Sequence, residues 1–266
     1  MSSVRLIALA CTLSLASIVR VGYGEVPQRV VDVPTRPGVT QRFVLLTPTQ
    51  PKAVVVLFAG GHGGLQIQDN GSFRWGTGNF LVRSRQSFAE RDLVVAVVDA
   101  PSDKQTDPFL SGHRQRPDHV TDIKAVIAWL HEQTKLPVWL IGTSRGSQSA
   151  AFLATQLTGK DGPDGIVLTS SILTDRRGGR AVPEMDVEKL AIPVLVVHHE
   201  LDGCILCRFS DMPPLMKKLS GLQRKELITF KDGQSRGDPC EAFAYHGYNG
   251  IERQAVDRIA GWILSN

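Results

Sequence analysis

The residues best able to do chemistry stand together in Gly142-Thr143-Ser144-Arg145-Gly146. The apolar run Val138-Trp139-Leu140-Ile141 leads straight into them, and Ser147, Gln148, Ser149, Ala150 and Ala151 follow. A serine hydroxyl is a poor nucleophile near neutral pH unless an adjacent base takes its proton as it attacks. G-x-S-x-G between a strand and a helix is one way to present such a hydroxyl. The turn is sharp and strained, so the residues two before and two after the serine must be tiny, and Gly142 and Gly146 meet that demand. The hydroxyl then projects at a helix N-terminus, where N–H groups and the helix dipole favour a developing negative charge. The bare pattern arises often by chance, so its weight here comes from the strand before it and the helix after it.

With these residues in place the chain resembles the α/β-hydrolase family, over essentially all of its length beyond the first two dozen residues. That resemblance implies a triad in the order serine, acid, histidine. The family's acid follows a later strand, and here Ile192-Pro193-Val194-Leu195-Val196-Val197 is followed by His198-His199-Glu200-Leu201-Asp202-Gly203. Asp202 matches the acid's position, although His199 stands where the family often has glycine. Glu200 is the rival, two residues earlier and less far into the loop. The family's base lies before the terminal helix, and His246, in Ala244-Tyr245-His246-Gly247-Tyr248, is the only histidine after His199.

The same resemblance implies an oxyanion hole of two N–H donors. One is Arg145, immediately after the serine. The other lies in Ala59-Gly60-Gly61-His62-Gly63-Gly64, which is similar to the family's His-Gly loop with Ala59 in place of the histidine. Gly61 is the first choice and His62 the second. A phosphate cradle is the competing use of such glycines, but no Gly-Lys-Ser/Thr follows. His62, His113, His119, His131, His198 and His199 are assigned no catalytic role.

These residues need a frame. Short apolar runs at Gln41 to Leu46, Ala53 to Phe58, Leu93 to Val98, Val138 to Ile141, Gly165 to Thr169, Ile192 to Val197 and Glu226 to Phe230 alternate with helical patterns. Several are apolar without a break, as strands covered on both faces must be. Val120, Ile123, Val126, Ile127 and Leu130 recur at helical spacing behind Asp118, a candidate N-cap, which predicts a crossover helix to about Thr134. A second helix is expected from Arg145 to about Leu157. A last one presents Ile251, Ala255, Ile259 and Trp262 on one face. The fold class expected is α/β, an α/β-hydrolase fold with a mainly parallel sheet flanked by helices and a small lid or none. The site belongs in the loops beyond the strands' carboxyl ends. His62 to about Gly78 and Leu173 to Leu190 read as loops over that site rather than core.

The chain has 266 residues, 42% hydrophobic and 21% charged, which suits one globular catalytic domain over 25–266. Arg5, the uncharged run from Leu6 to Val19 and the small residues of Gly22-Tyr23-Gly24 read as an export signal over 1–24. The run is about 14 residues where a membrane span needs roughly 20, so no stable membrane insertion is expected after its removal. The formal charge of +4 is scattered, and its one tight cluster, Arg176-Arg177-Gly178-Gly179-Arg180, reads as a solvated loop, so nucleic-acid binding is not expected. Beyond the signal stand Cys204, Cys207 and Cys240, and an oxidising compartment permits a disulfide from Cys240 to either of the others. A zinc site from the same cysteines and a histidine lacks a second closely spaced ligand pair, so no metal and no cofactor are expected.

Together these readings imply a secreted serine hydrolase acting on a small-molecule carboxylic ester through an acyl-serine. A serine peptidase of similar fold, or a binding protein that kept the fold without the chemistry, are the alternatives. Acyl and alcohol preference and oligomeric state are left open.

Overall fold

A computed structural model describes residues 25–175 and 179–265. The export segment expected over 1–24 lies outside the described residues, as do Arg176, Arg177 and Gly178 of the basic cluster.

The chain begins with an antiparallel hairpin, β1 (Gln28–Arg36) and β2 (Val39–Leu46), turned at Pro37-Gly38 with Gly38 at φ +71°. The sequence reading had no β1. Its apolar alternation is short, it contains Pro34, and its register shifts between Pro34 and Arg36. An edge strand tolerates such a proline because one side of its ladder needs no donor.

The unbroken apolar runs form β3 (Ala53–Phe58), β4 (Leu93–Val98), β5 (Val138–Thr143), β6 (Gly165–Thr169) and β7 (Val194–His199), and every residue in them is buried. β8 (Lys225–Phe230) closes the far edge with the alternating exposure of a half-covered strand. The sheet runs β1-β2-β4-β3-β5-β6-β7-β8, parallel from β4 onward and antiparallel at β1/β2 and β2/β4.

Strand side chains alternate between faces, so each strand feeds two cores. Val54, Val56 and Phe58 meet α3 (Pro117–Thr134), α4 (Arg145–Gln156) and α5 (Pro213–Lys218) on one side. Ala53, Val55 and Leu57 meet α1 (Phe80–Arg83), α2 (Arg85–Ala89) and α6 (Glu252–Leu264) on the other. No helix among the described residues is long and apolar enough to cross a membrane.

Two expectations need correction. Asp118 is not the N-cap of α3: the helix starts at Pro117, two residues earlier than that cap would place it, with Arg116 as its cap and Asp118 in the first turn. Proline suits that first position because its φ is preset and the N–H it lacks would have no helical partner. The Leu173 to Leu190 segment is not a loop over the site. Leu173, Val182, Met185, Val187 and Leu190 are buried against the core on the α3/α4 side, so those apolar residues outweigh the polar ones between them.

Candidate active site

Ser144 sits between β5 and α4 with φ +52° and ψ −125°, a left-handed conformation costly for a residue with a Cβ. Its neighbours make that turn possible. A Cβ on Gly142 would stand 2.2 Å from the Gly146 carbonyl oxygen, and one on Gly146 would stand 2.0 Å from that of Phe58. The N–H of Ser144 donates to Thr169 O at 3.1 Å. Ser147 Oγ donates to Ser144 O at 2.6 Å and accepts from Ile172 N, fastening the first turn of α4 to the segment that follows β6.

Beyond β7, Asp202 turns its carboxylate inward. Oδ2 accepts from His246 Nδ1 at 2.8 Å and Oδ1 accepts from Cys204 N at 2.9 Å. The carboxylate is wholly buried and the imidazole almost so, which strengthens their attraction over what water would allow. His246 Nε2 is buried without a hydrogen-bond partner among the described residues, on a side chain that lines the same cavity as Ser144. The backbone around it is pinned: His246 O accepts from Ser170 Oγ at 2.7 Å, and Tyr248 Oη donates to Val197 O while accepting from Ser170 N. Burial pushes the Tyr248 phenol far above its ordinary range, so it remains a donor. Glu200, the rival acid, points elsewhere, to Thr229 Oγ1 at 2.9 Å and Lys231 Nζ at 3.2 Å.

His198, assigned no role from sequence, lies against the acid with Nε2 3.7 Å from Asp202 Oδ2. That nitrogen is 2.6 Å from Cys207 O. Burial lowers the imidazole's proton affinity against the opposing pull of Asp202, which keeps a second cation from competing for the carboxylate.

Cys204 is disulfide-bonded to Cys240, which resolves the pairing left open above, and Cys207 is a buried free thiol whose proton affinity is raised by burial. One donor atom each of Cys204, Cys207 and His246 lie within 4.8 Å of one another. The Cys204 sulfur is spent in the disulfide, which leaves two donors of the three, so this set does not suit a metal.

The glycine loop after β3 is held from two directions. Asp99, at the end of β4, accepts from the N–H groups of Leu65, Gln66, Ile67 and Ala100 at 2.6–3.1 Å. Burial raises the Asp99 carboxyl, and those four donors oppose the rise. From the other side Arg114 donates through Nη2 to Ala59 O and Gly61 O and through Nη1 to Ser149 Oγ on α4. This guanidinium is buried and has no carboxylate partner among the described residues; burial, then the Arg145 charge, pulls it down to about 9. Gly61 lines the cavity beside Ser144 and has φ +58°. Neither its N–H nor that of Arg145, first in α4, finds an acceptor among the described residues. His62, the second choice, does not line that cavity; its ring packs on those of Trp75 and Phe109, and its Nδ1 accepts from Gly64 N at 3.1 Å.

The cavity that joins Ser144 to His246 holds about 250 Å³ and is open to solvent. The loop expected over the site, His62 to about Gly78, supplies Trp75 to its walls, but neither Trp75 nor Asn79 and Phe243 beyond it was singled out from sequence. Trp75 and Phe243 are 37% and 53% exposed, an unusual state for aromatic rings. Their loop positions carry no periodic signal; only the general link between exposed aromatics and binding could have singled them out.

No protein-family model matches the sequence, and no curated protein matches it. Solved structures do resemble the fold closely. A dienelactone hydrolase from Anabaena variabilis aligns with a TM-score of 0.62 at 12% identity, covering 91% of this chain and 99% of that one. A thermostable carboxylesterase cloned from a metagenomic library aligns with a TM-score of 0.62 at 18% identity, over 90% and 88%. A lidless α/β serine hydrolase from Xanthomonas campestris gives a TM-score of 0.57 at 16% identity, over 87% and 94%. At these identities the likeness is one of architecture, and the architecture is the α/β-hydrolase fold.

Proposed function

From an α/β-hydrolase fold so furnished, we propose that the protein is an exported serine hydrolase of small carboxylic esters, with Ser144 as nucleophile, His246 as base and Asp202 as the acid that orients it. The observation that carries this reading is the buried His246 ring. One nitrogen is bonded to a buried carboxylate, the other has no partner among the described residues, and the side chain lines the cavity that also exposes a strained serine.

In this mechanism Ser144 Oγ attacks the ester carbonyl carbon as its proton passes to His246 Nε2. Asp202 accepts from Nδ1–H, which fixes the tautomer and stabilises the imidazolium. The carbonyl oxygen takes up the displaced electron pair and is met by the N–H groups of Gly61 and Arg145. Collapse expels the alkoxide, which takes the proton from Nε2 and leaves an acyl-serine. Water then repeats the sequence, giving its proton to His246 and releasing the acid. Trp75 and Phe243 provide apolar walls for the acyl or alcohol group, and the open cavity fits the absence of a large lid. The Cys204–Cys240 disulfide fits an oxidising compartment, which is why export belongs to the reading.

The test is fluorophosphonate labelling of protein lacking residues 1–24, with Ser144→Ala and His246→Ala variants, followed by p-nitrophenyl esters of increasing chain length. Labelling and turnover that vanish in Ser144→Ala support the proposal. Turnover of peptide anilides alone would move the reading to a peptidase. Neither labelling nor turnover would remove it.

A further inference from the structure

We propose that Asn79 is a third oxyanion donor, its side-chain amide hydrogen-bonding the substrate oxygen that becomes negatively charged when Ser144 attacks. The inference rests on the ester-hydrolase reading and adds a catalytic residue to it.

Asn79 stands just before α1, where its Oδ1 accepts from Leu81 N at 3.2 Å. That bond decides which way the amide faces, because only the oxygen can accept from an N–H. Nδ2 is therefore on the opposite side, and among the described residues it donates to no protein atom. Asn79 lines the cavity that holds Ser144 and His246. Nδ2 lies 3.4 Å from the point a Cβ on Gly60 would occupy, and Ser144 Cβ lies 3.0 Å from the same point. Asn79 and Ser144 thus approach the glycine loop at one place, immediately before Gly61.

Gly60 adds an independent reason. Unlike Gly61, it does not have a positive φ, so its backbone conformation does not call for glycine. What the site needs there is an absent side chain. A Cβ would fill the space between the amide and the serine, crowding Ser144 Cβ at 3.0 Å and Thr143 O at 3.2 Å. The missing Cβ keeps a short lane open from Nδ2 to the reacting centre.

Capping explains only half of the residue. Aspartate and serine cap helices about as well as asparagine, and all three do so through an oxygen. An amide instead leaves a neutral N–H pair on the cavity side, where a carboxylate would repel an oxyanion.

The choice of variants follows from this division. Asn79→Asp and Asn79→Ser keep a capping oxygen and lose the amide donor; the first also brings a negative charge. Each is compared with wild type for kcat, KM, pH profile, melting temperature and fluorophosphonate labelling. For Asn79→Asp kcat should fall about 10²–10³-fold, the usual cost of one oxyanion donor, with KM nearly unchanged. Its acid limb should move to higher pH, because a nearby carboxylate favours the protonated imidazole. Asn79→Ser should lose at least about 10-fold in kcat with an unmoved pH profile. Both should melt near the wild-type temperature. An active wild type whose two variants keep kcat, lose only in KM, or lose activity only in step with melting temperature overturns the role of Asn79 alone. A wild type that neither labels nor hydrolyses any ester overturns the ester-hydrolase reading and this inference with it.

Discussion

Asp202 and His246 are joined twice. A 2.8 Å hydrogen bond links Oδ2 to Nδ1, and a disulfide links Cys204, two residues after the acid, to Cys240, six before the histidine. The loops after β7 and β8 are thereby held at a fixed separation where the hydrogen bond forms.

Removing that covalent link should affect both stability and rate. The bond spans a sequence separation of 36, for which loop-closure entropy predicts a loss of about 3–4 kcal/mol. The double variant Cys204→Ser/Cys240→Ser is preferable to a single one, because Cys207 lies close enough to mispair. Urea unfolding should show the stability loss. At a temperature where both proteins are folded, kcat should drop about 10-fold or more, since small misplacements of a base are costly. An unchanged kcat would mean that the hydrogen bond alone positions the histidine.

The two acidic candidates should separate cleanly. Asp202→Asn keeps the shape but offers an amide where Nδ1–H needs an acceptor of full charge, and kcat should fall about 10³–10⁴-fold. Glu200→Gln disturbs only contacts to Thr229 and Lys231 near the surface, which solvent screens, and kcat should stay within a factor of about two of wild type. The reverse ranking, measured on one ester, would exchange their roles.

What the sequence made legible follows from where each residue lies. Ser144, Asp202 and His246 could be singled out as candidates because each is tied to an element with a strong pattern: an apolar strand before the serine, another before the aspartate and an amphipathic helix after the histidine. The five buried strands were readable for the same reason. Trp75, Asn79 and Phe243 belong to loops, where side-chain position depends on tertiary packing rather than on period. Arg114 was hidden because a buried arginine held by neutral acceptors contradicts the usual rule for charge; its partners are Ser149 Oγ and backbone carbonyls 53 and 55 residues away. The Leu173 to Leu190 segment misled because composition reports average polarity, whereas a few well-placed apolar residues decide burial.

Arg114 leads to a prediction in which activity and stability part. Its Nη2 holds the Ala59 and Gly61 carbonyls, which pins the peptide planes on either side of the one that carries the Gly61 N–H. Arg114→Met removes this brace but also removes a buried, unpaired charge, a change that is often neutral or stabilising. The melting temperature should therefore hold within a few degrees while kcat/KM falls about 10²-fold, the scale of a misaligned oxyanion donor. A variant that melts much earlier yet keeps its activity per folded molecule would make Arg114 a structural residue only.

The histidine behind that arginine should govern acid stability. His119 is fully buried with Nε2 3.1 Å from Ser149 Oγ, and burial, then the charges of Arg114 and His113, hold its proton affinity well below the ordinary 6.5. In the unfolded chain the same imidazole takes a proton near pH 6.5. Below that pH the unfolded state binds more protons, so this contribution to stability is intact above about 6.5 and is lost as pH falls. The slope is at most about 1.4 kcal/mol per pH unit for one such group. Burial lowers His113 and His198 in the same direction, so the wild type should lose stability over this range by more than His119 alone supplies. Urea midpoints at pH 5, 6, 7 and 8 for wild type and His119→Gln should diverge on the acid side, with the variant less sensitive. Parallel curves would mean that the folded protein admits a proton at His119 as readily as the unfolded chain does.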